Sequence, residues 1–135
     1  MHSVIVTATG LNLQQSVQVR SHTFIADEPA SNGGDDAGPA PHELLVAALG
    51  TCTSITLQLY AKRKAWNLGT VEVSVDGHRD GEVYRIQRRI RFGGSLTEDQ
   101  RSRLLEIANH CPVHRTLVGE IQIETALATG ASGSA

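Results

Sequence analysis

The sequence predicts an α+β fold, antiparallel sheet packed on helices, and three observations carry that prediction. Short Val- and Thr-rich segments fill most of the first 26 residues. One stretch, Pro41–Lys64, is apolar or small almost throughout. After it the pattern alternates strictly over Val71–Phe92, then returns to a helical period. Alternation at period two marks a half-buried strand, and recurrence at three and four marks a helix. The resulting order, βββ-α-ββ-α-β with mostly short connections, is that of an α+β domain.

A chain of 135 residues is long enough for one domain with its own core. We place that domain at residues 1–126, with 127–135 a small, polar, flexible C-terminal tail. The formal net charge is −2 and no basic run is present, which argues against nucleic acid as a partner. The start of the chain lacks the charged segment and apolar block of a signal peptide. With only two cysteines, this predicts a reducing, cytoplasmic setting in which thiols carry chemistry.

The first strands are expected at Ser3–Ala8 and Ser16–Arg20, joined through a turn at Gly10-Leu11-Asn12, with a third at His22–Ala26. Residues 28–40 form a Gly-, Pro- and Asp-rich loop, long enough to be functional or mobile. The long helix begins at Pro41, suited to the first helical position, and Glu43 complements its positive end. Lys62, Arg63 and Lys64 close it. Thr51, Thr53, Ser54, Thr56 and Gln58 make it too polar, and its apolar part too short, for a membrane span. It is therefore read as a central helix with Cys52 in the interior or at an interface.

In the following hairpin Val71, Val73 and Val75 alternate with acidic and polar residues. Tyr84, Ile86, Arg88, Ile90 and Phe92 alternate with Arg85, Gln87, Arg89 and Arg91, so that the arginine row reads as a solvated face. Asp76-Gly77 and Asp80-Gly81 mark the turn region. Thr97 and Gln100 form a capping box for a second helix, on which Leu104, Ala108 and Cys111 share a stripe. Pro112 ends it. A CPVHRTL turn then leads to a last strand, Glu120–Thr125.

The segment GPAPHELLVAALGTCTSITLQLYAKRK resembles the Gly-Pro-x-Pro-x-Glu-Leu-Leu…Ala-Ala-Leu-Gly-x-Cys-Thr element of the OsmC/Ohr superfamily. LTEDQRSRLLEIANHCPVHRTL is similar to that family's second element, a helix ending in Cys-Pro-Val-His. The resemblance covers nearly all of residues 1–125. It implies an intertwined homodimer with long central helices between sheets, and thiol-dependent reduction of organic hydroperoxides. By resemblance Cys52 is the peroxidatic thiol and Cys111 the resolving one. Glu43 matches a helix-start glutamate that orients an arginine. The peroxidase branch carries that arginine near the positions of Leu11–Gln15. None lies there, and the nearest, Arg20, is the candidate.

The chemistry of thiols allows such a pair, and the roles are those the resemblance implies. A peroxidatic cysteine must be a reachable thiolate that passes through a sulfenic acid, and a second thiol can condense with that sulfenate. The alternative is that both are small buried hydrophobes. Leu45, Ala48, Leu49 and Leu59 offer an apolar lining suited to an alkyl hydroperoxide. His114 is placed to cap a turn or to lower a thiol pKa. No standard zinc spacing is formed, since the cysteines are isolated, and no metal or bound cofactor is expected. By resemblance the reductant is an external dithiol of the dihydrolipoyl type. A non-peroxidase dimer that binds a small ligand or senses redox state is the alternative function.

Overall fold

The computed structural model describes residues 1–128. The strands β1 (Val4–Ala8), β2 (Gln15–Val19) and β3 (His22–Ala26) form an antiparallel sheet in the order β1-β2-β3. The helix α1 spans Pro41–Lys64, as expected, and the hairpin β4 (Val71–Asp80) and β5 (Val83–Phe92) follows it. Two helices close the chain, α2 (Glu98–Ala108) and α3 (Pro112–Val118). The fold is α+β with two separate antiparallel sheets.

Local chemistry explains most element ends. The Ala40 N–H donates to Glu43 Oε1 at 2.7 Å, half of a capping box, because an alanine cannot return the bond. Ala65 closes α1 in the left-handed conformation, φ 58°. Thr97 and Gln100 form the full box, with bonds of 2.9 and 3.1 Å. In β4, Gly77 lies within the strand opposite Ile86 rather than in a turn. Its missing side chain makes room for Tyr84, whose hydroxyl lies 2.5 Å from where a Cβ would sit. The reversal falls at Gly81, φ 62°.

The core forms where α1 meets α2 and the hairpin. Leu49, Thr53, Leu57 and Ala61, one per turn of α1, are buried together with Tyr60. Leu57, Tyr60, Ala61, Leu68, Leu104 and Ala108 make one cluster, flanked by Trp66, Ile90 and Phe92. Trp66 meets the Tyr60 ring edge-on at 5.6 Å, the anchoring arrangement that aromatic quadrupoles favour. The loop before α1 is knitted rather than free. Asp27 is buried, and its carboxylate accepts N–H bonds from Glu28, Asp35 and Ala37 at 2.8–3.2 Å. Those bonds, led by that of Ala37, hold its carboxyl below the usual range.

Four expectations are corrected. Glu120–Thr125 is not a strand; it is irregular and exposed, with Ile123 at 84%, because an alternating segment forms a ladder only where an edge pairs with it. CPVHRTL is the helix α3 rather than a turn. Pro112 takes its first position, where the missing N–H costs nothing. Cys111 therefore leaves α2 and becomes the N-cap of α3 with φ −66° and ψ 146°, the extended conformation required before proline. Finally, α1 is long and apolar enough to cross a bilayer by length and composition, with a mean hydropathy of 1.5. Its polar residues do not exclude that reading; it packs against β4, α2 and α3 on one side, and Leu45, Ile55 and Leu59 remain exposed on the rest. Of the expected tail, residues 129–135 lie outside the described residues.

Candidate thiol site

Three elements converge on Cys111. The turn between α2 and α3 delivers its side chain to the inner face of α1, where it is fully buried. There Cys111 Sγ accepts the His114 backbone N–H at 3.3 Å, capping α3. Thr53 Oγ1 from α1 lies 3.9 Å away. Cys52, one residue before Thr53 on α1, places a second thiol on the same turn of that helix. Cys52 itself is half-buried, and Thr56 Oγ1 lies 4.0 Å from its sulfur. Both cysteines are free thiols.

The third element is β5, which supplies Arg88. One guanidinium nitrogen donates to Thr53 Oγ1 at 2.9 Å. The other bonds Asn109 Oδ1 and His114 Nδ1, each at 3.0 Å. Arginine is always a donor, so His114 Nδ1 must accept and its proton resides on Nε2. Thr53 in turn donates to the Leu49 carbonyl at 2.7 Å. Among the described residues no carboxylate forms an ion pair with Arg88, whereas Arg85, Arg89 and Arg91 pair with Asp80, Asp76 and Glu72. The solvated arginine face is thus neutralised across the hairpin. Arg88 points the other way, a cation held by neutral partners beside a thiol.

The electrostatics follow. Burial pushes the Cys111 thiol up from its ordinary 9.0, but the His114 N–H, Cys52, Thr53 and the Arg88 charge together bring it below that value. Burial, Arg88 and His110 all lower the His114 pKa, which keeps the imidazole neutral. For a thiol whose folded pKa is depressed, the unfolded chain binds more protons over the window between the two values. Its stabilisation is complete above 9.0 and is lost as pH falls through the folded value. The stability gap between wild type and Cys111→Ala is therefore expected to widen as pH rises toward 9.0. Urea denaturation across that range checks the sign.

Beside this network lies a cavity of about 260 Å³ lined by Leu49, Tyr84, Ile86, Arg88, His114 and Leu117, with Val118 at its rim. Of the residues expected to bind substrate, Leu49 and His114 are in it. Leu45, Ala48 and Leu59 are exposed on other parts of α1. Glu43 lies in a separate groove of about 650 Å³ between α1 and β4, with Val46, Gly50, Val73 and Val75, and its carboxylate is engaged at Ala40. Arg20 occupies the β2–β3 turn with φ 55°; it is exposed, and its guanidinium has no bond to the thiol site among the described residues. Cys111 and His114 are thus joined in one chain through Thr53 and Arg88, with Cys52 next to Thr53 on α1, and Glu43 and Arg20 have no part in that network. Sequence reasoning missed Arg88, Thr53 and Asn109. The available signal was a charged residue interrupting the apolar row Tyr84, Ile86, Ile90, Phe92.

The fold is that of a small α+β domain with one cysteine on its long helix and a second at the α2–α3 turn. The family model for OsmC-like protein matches residues 33–126, and the chain belongs to that family. It is similar to the Mycoplasma pneumoniae OsmC-like protein (TM-score 0.70, 18% identity, 88% of each chain covered). A protein from Psychrobacter arcticus 273-4 assigned to the osmotic stress induced and detoxification response has TM-score 0.76 and 21% identity, over 86% of this chain and 88% of that one. The organic hydroperoxide resistance protein OsmC of Legionella pneumophila has TM-score 0.63 and 17% identity, over 88% and 91%. At these identities the likeness concerns the fold. No curated protein matches the chain.

Proposed function

We propose that the protein is a thiol-dependent peroxidase that reduces organic hydroperoxides. One observation carries the reading: the half-buried Cys52 adjoins Thr53 on α1, and Thr53 Oγ1 lies 3.9 Å from a second free thiol, Cys111, while accepting a bond from Arg88, which forms no ion pair with a carboxylate among the described residues. That arrangement supplies a nucleophile, a resolving thiol and a stabilising cation within one chain. The thiolate of Cys52 attacks one peroxide oxygen, the alkoxide leaves as the alcohol, and Cys52 becomes a sulfenic acid. Cys111 displaces its hydroxide to form the Cys52–Cys111 disulfide, and an external dithiol, of the dihydrolipoyl type, returns both thiols. The apolar walls Leu49, Ile86 and Leu117 favour an alkyl or aryl hydroperoxide over hydrogen peroxide. Arg88 takes the polarising role that the family resemblance would give to an N-terminal arginine.

We also read the working unit as a homodimer. Val4, Ile5 and Val6 of β1 are 50–57% exposed, and on α1 Ile55 and Leu59 are 52% and 55% exposed. Apolar surface on that scale calls for a partner, and a second copy is the simplest; Ile55 also lines the groove between α1 and β4. Free thiols fit a reducing, cytoplasmic setting. The small donor-lined cavity also supports the alternative of a non-peroxidase ligand binder.

Mass spectrometry separates the two. Reduced protein given one equivalent of cumene hydroperoxide is expected to lose two hydrogens and to yield a Cys52–Cys111 linked peptide. A chain that stays reduced under those conditions is not the peroxidase.

A further inference from the structure

The outward arginines of β5, Arg85, Arg89 and Arg91, are each met by an acid of β4. Arg88 faces inward and half-buried, and among the described residues its partners are all neutral. A guanidinium cannot shed its charge as a lysine or a carboxyl can, and a charge drawn away from water is costly until it is paired. The bonds to Thr53, Asn109 and His114 engage three of the five N–H donors of an arginine. Two N–H groups remain, with the whole positive charge.

Arg88 lines two cavities. One is the cavity of about 260 Å³ beside the thiol network, the other a smaller one of about 190 Å³ between β5 and α2. Among the described residues no Asp or Glu lines either. The polar side chains around the larger are Arg88, His114 and Tyr84. Arginine has no acceptor, and His114 spends its accepting nitrogen on Arg88, so its remaining polar atom is the Nε2–H donor. The Tyr84 hydroxyl, which can do either, is turned over Gly77 of β4. The remaining walls are hydrocarbon. Such a lining selects a molecule that accepts hydrogen bonds, carries one negative charge and has an apolar body.

We propose that this cavity binds a small organic acid, with its carboxylate on Arg88 and its apolar body against Leu49, Ile86 and Leu117. An ionised carboxylate only accepts, and it forms strong charge-assisted bonds with a guanidinium. An inorganic anion gains nothing from hydrocarbon walls, and a neutral molecule leaves the charge unpaired. The volume lies just under the range of about 300–1,000 Å³ that drug-sized ligands fill, which suits a single-ring acid rather than a long acyl chain. In the peroxidase reading the acid takes the place of the peroxide beside Arg88. Binding itself does not need turnover, so the two readings fail separately.

The test titrates the reduced full chain calorimetrically at neutral pH with 4-isopropylbenzoate, 4-isopropylbenzyl alcohol and acetate. The alcohol keeps the body without the charge, and acetate keeps the charge without the body. The benzoate is expected to bind at least about tenfold more tightly than either, the scale on which one hydrogen bond to a charged group acts. Arg88→Met should lose about tenfold or more of that affinity. Leu117→Trp, which fills the cavity and leaves the guanidinium network in place, should lose it as well. Arg89→Met removes the same charge from the opposite face of β5 and should stay within about twofold of wild type. Equal binding of the alcohol or of acetate overturns the proposal, as does wild-type affinity in folded Arg88→Met. Should Arg88→Met fail to fold, Leu117→Trp and the comparison of ligands on wild type decide. Peroxide turnover without benzoate binding overturns this proposal alone, and benzoate binding without turnover upholds it while the peroxidase reading fails.

Discussion

Arg88→Met is expected to lower kcat/KM for cumene hydroperoxide about 10²-fold or more, the scale on which single preorganised charge-stabilising donors act. The guanidinium bridges three elements, reaching Thr53 on α1, Asn109 after α2 and His114 on α3. Methionine matches its bulk but removes every donor and the positive charge. The Cys111 thiol then loses the nearby positive charge, and three acceptors, Thr53 Oγ1, Asn109 Oδ1 and His114 Nδ1, lose their partner. Arg88→Lys restores the charge but not the fork, since an ammonium cannot reach Thr53, Asn109 and His114 in one plane, and it should recover only part of the loss. Arg20→Met is expected to leave the rate near wild type, because Arg20 is an exposed turn residue with φ 55°. Steady-state kinetics on the three variants decide between the two arginines. A large loss at Arg20 with none at Arg88 would move the polarising group to the turn.

Leu57→Ala is expected to cost about 2–5 kcal/mol, the range for truncating a fully enclosed leucine. Leu57 has no exposed surface and sits in the cluster with Leu104 and Ala108, where α1 meets α2. Its loss leaves a cavity in the cluster it shares with Tyr60, Ala61, Leu68, Leu104 and Ala108. Leu105→Ala, on the outer face of α2 at 61% exposure, should change stability by less than about 0.5 kcal/mol. Urea denaturation of the pair gives the difference, and equal midpoints would show that the core lies elsewhere.

Much of the architecture was legible because its signals are local. The period of Val71–Phe92, the box at Thr97 and Gln100, and Pro41 at the start of α1 each act within a few residues. The segment 120–125 carries an equally clear alternation and forms no strand, because pairing depends on an edge elsewhere that a pattern cannot supply. Cys111 was placed on the correct side of the core but on the wrong helix. The restriction that Pro112 imposes on its predecessor turns the chain there and starts a new one. The cysteines stood out by rarity and spacing. Arg88 was harder to see, since its meaning depends on which face of β5 turns inward and on three acceptors far away in the chain. Glu43 and Arg20 were carried over by likeness of position, and within one chain neither approaches the thiols.

The most direct test of the central claim is peroxide consumption with cumene hydroperoxide and a dithiol, comparing wild type with Cys52→Ser. Rapid turnover in wild type that disappears in Cys52→Ser is the predicted result. Turnover no faster than the dithiol alone, from a folded protein with both thiols reduced, would contradict it.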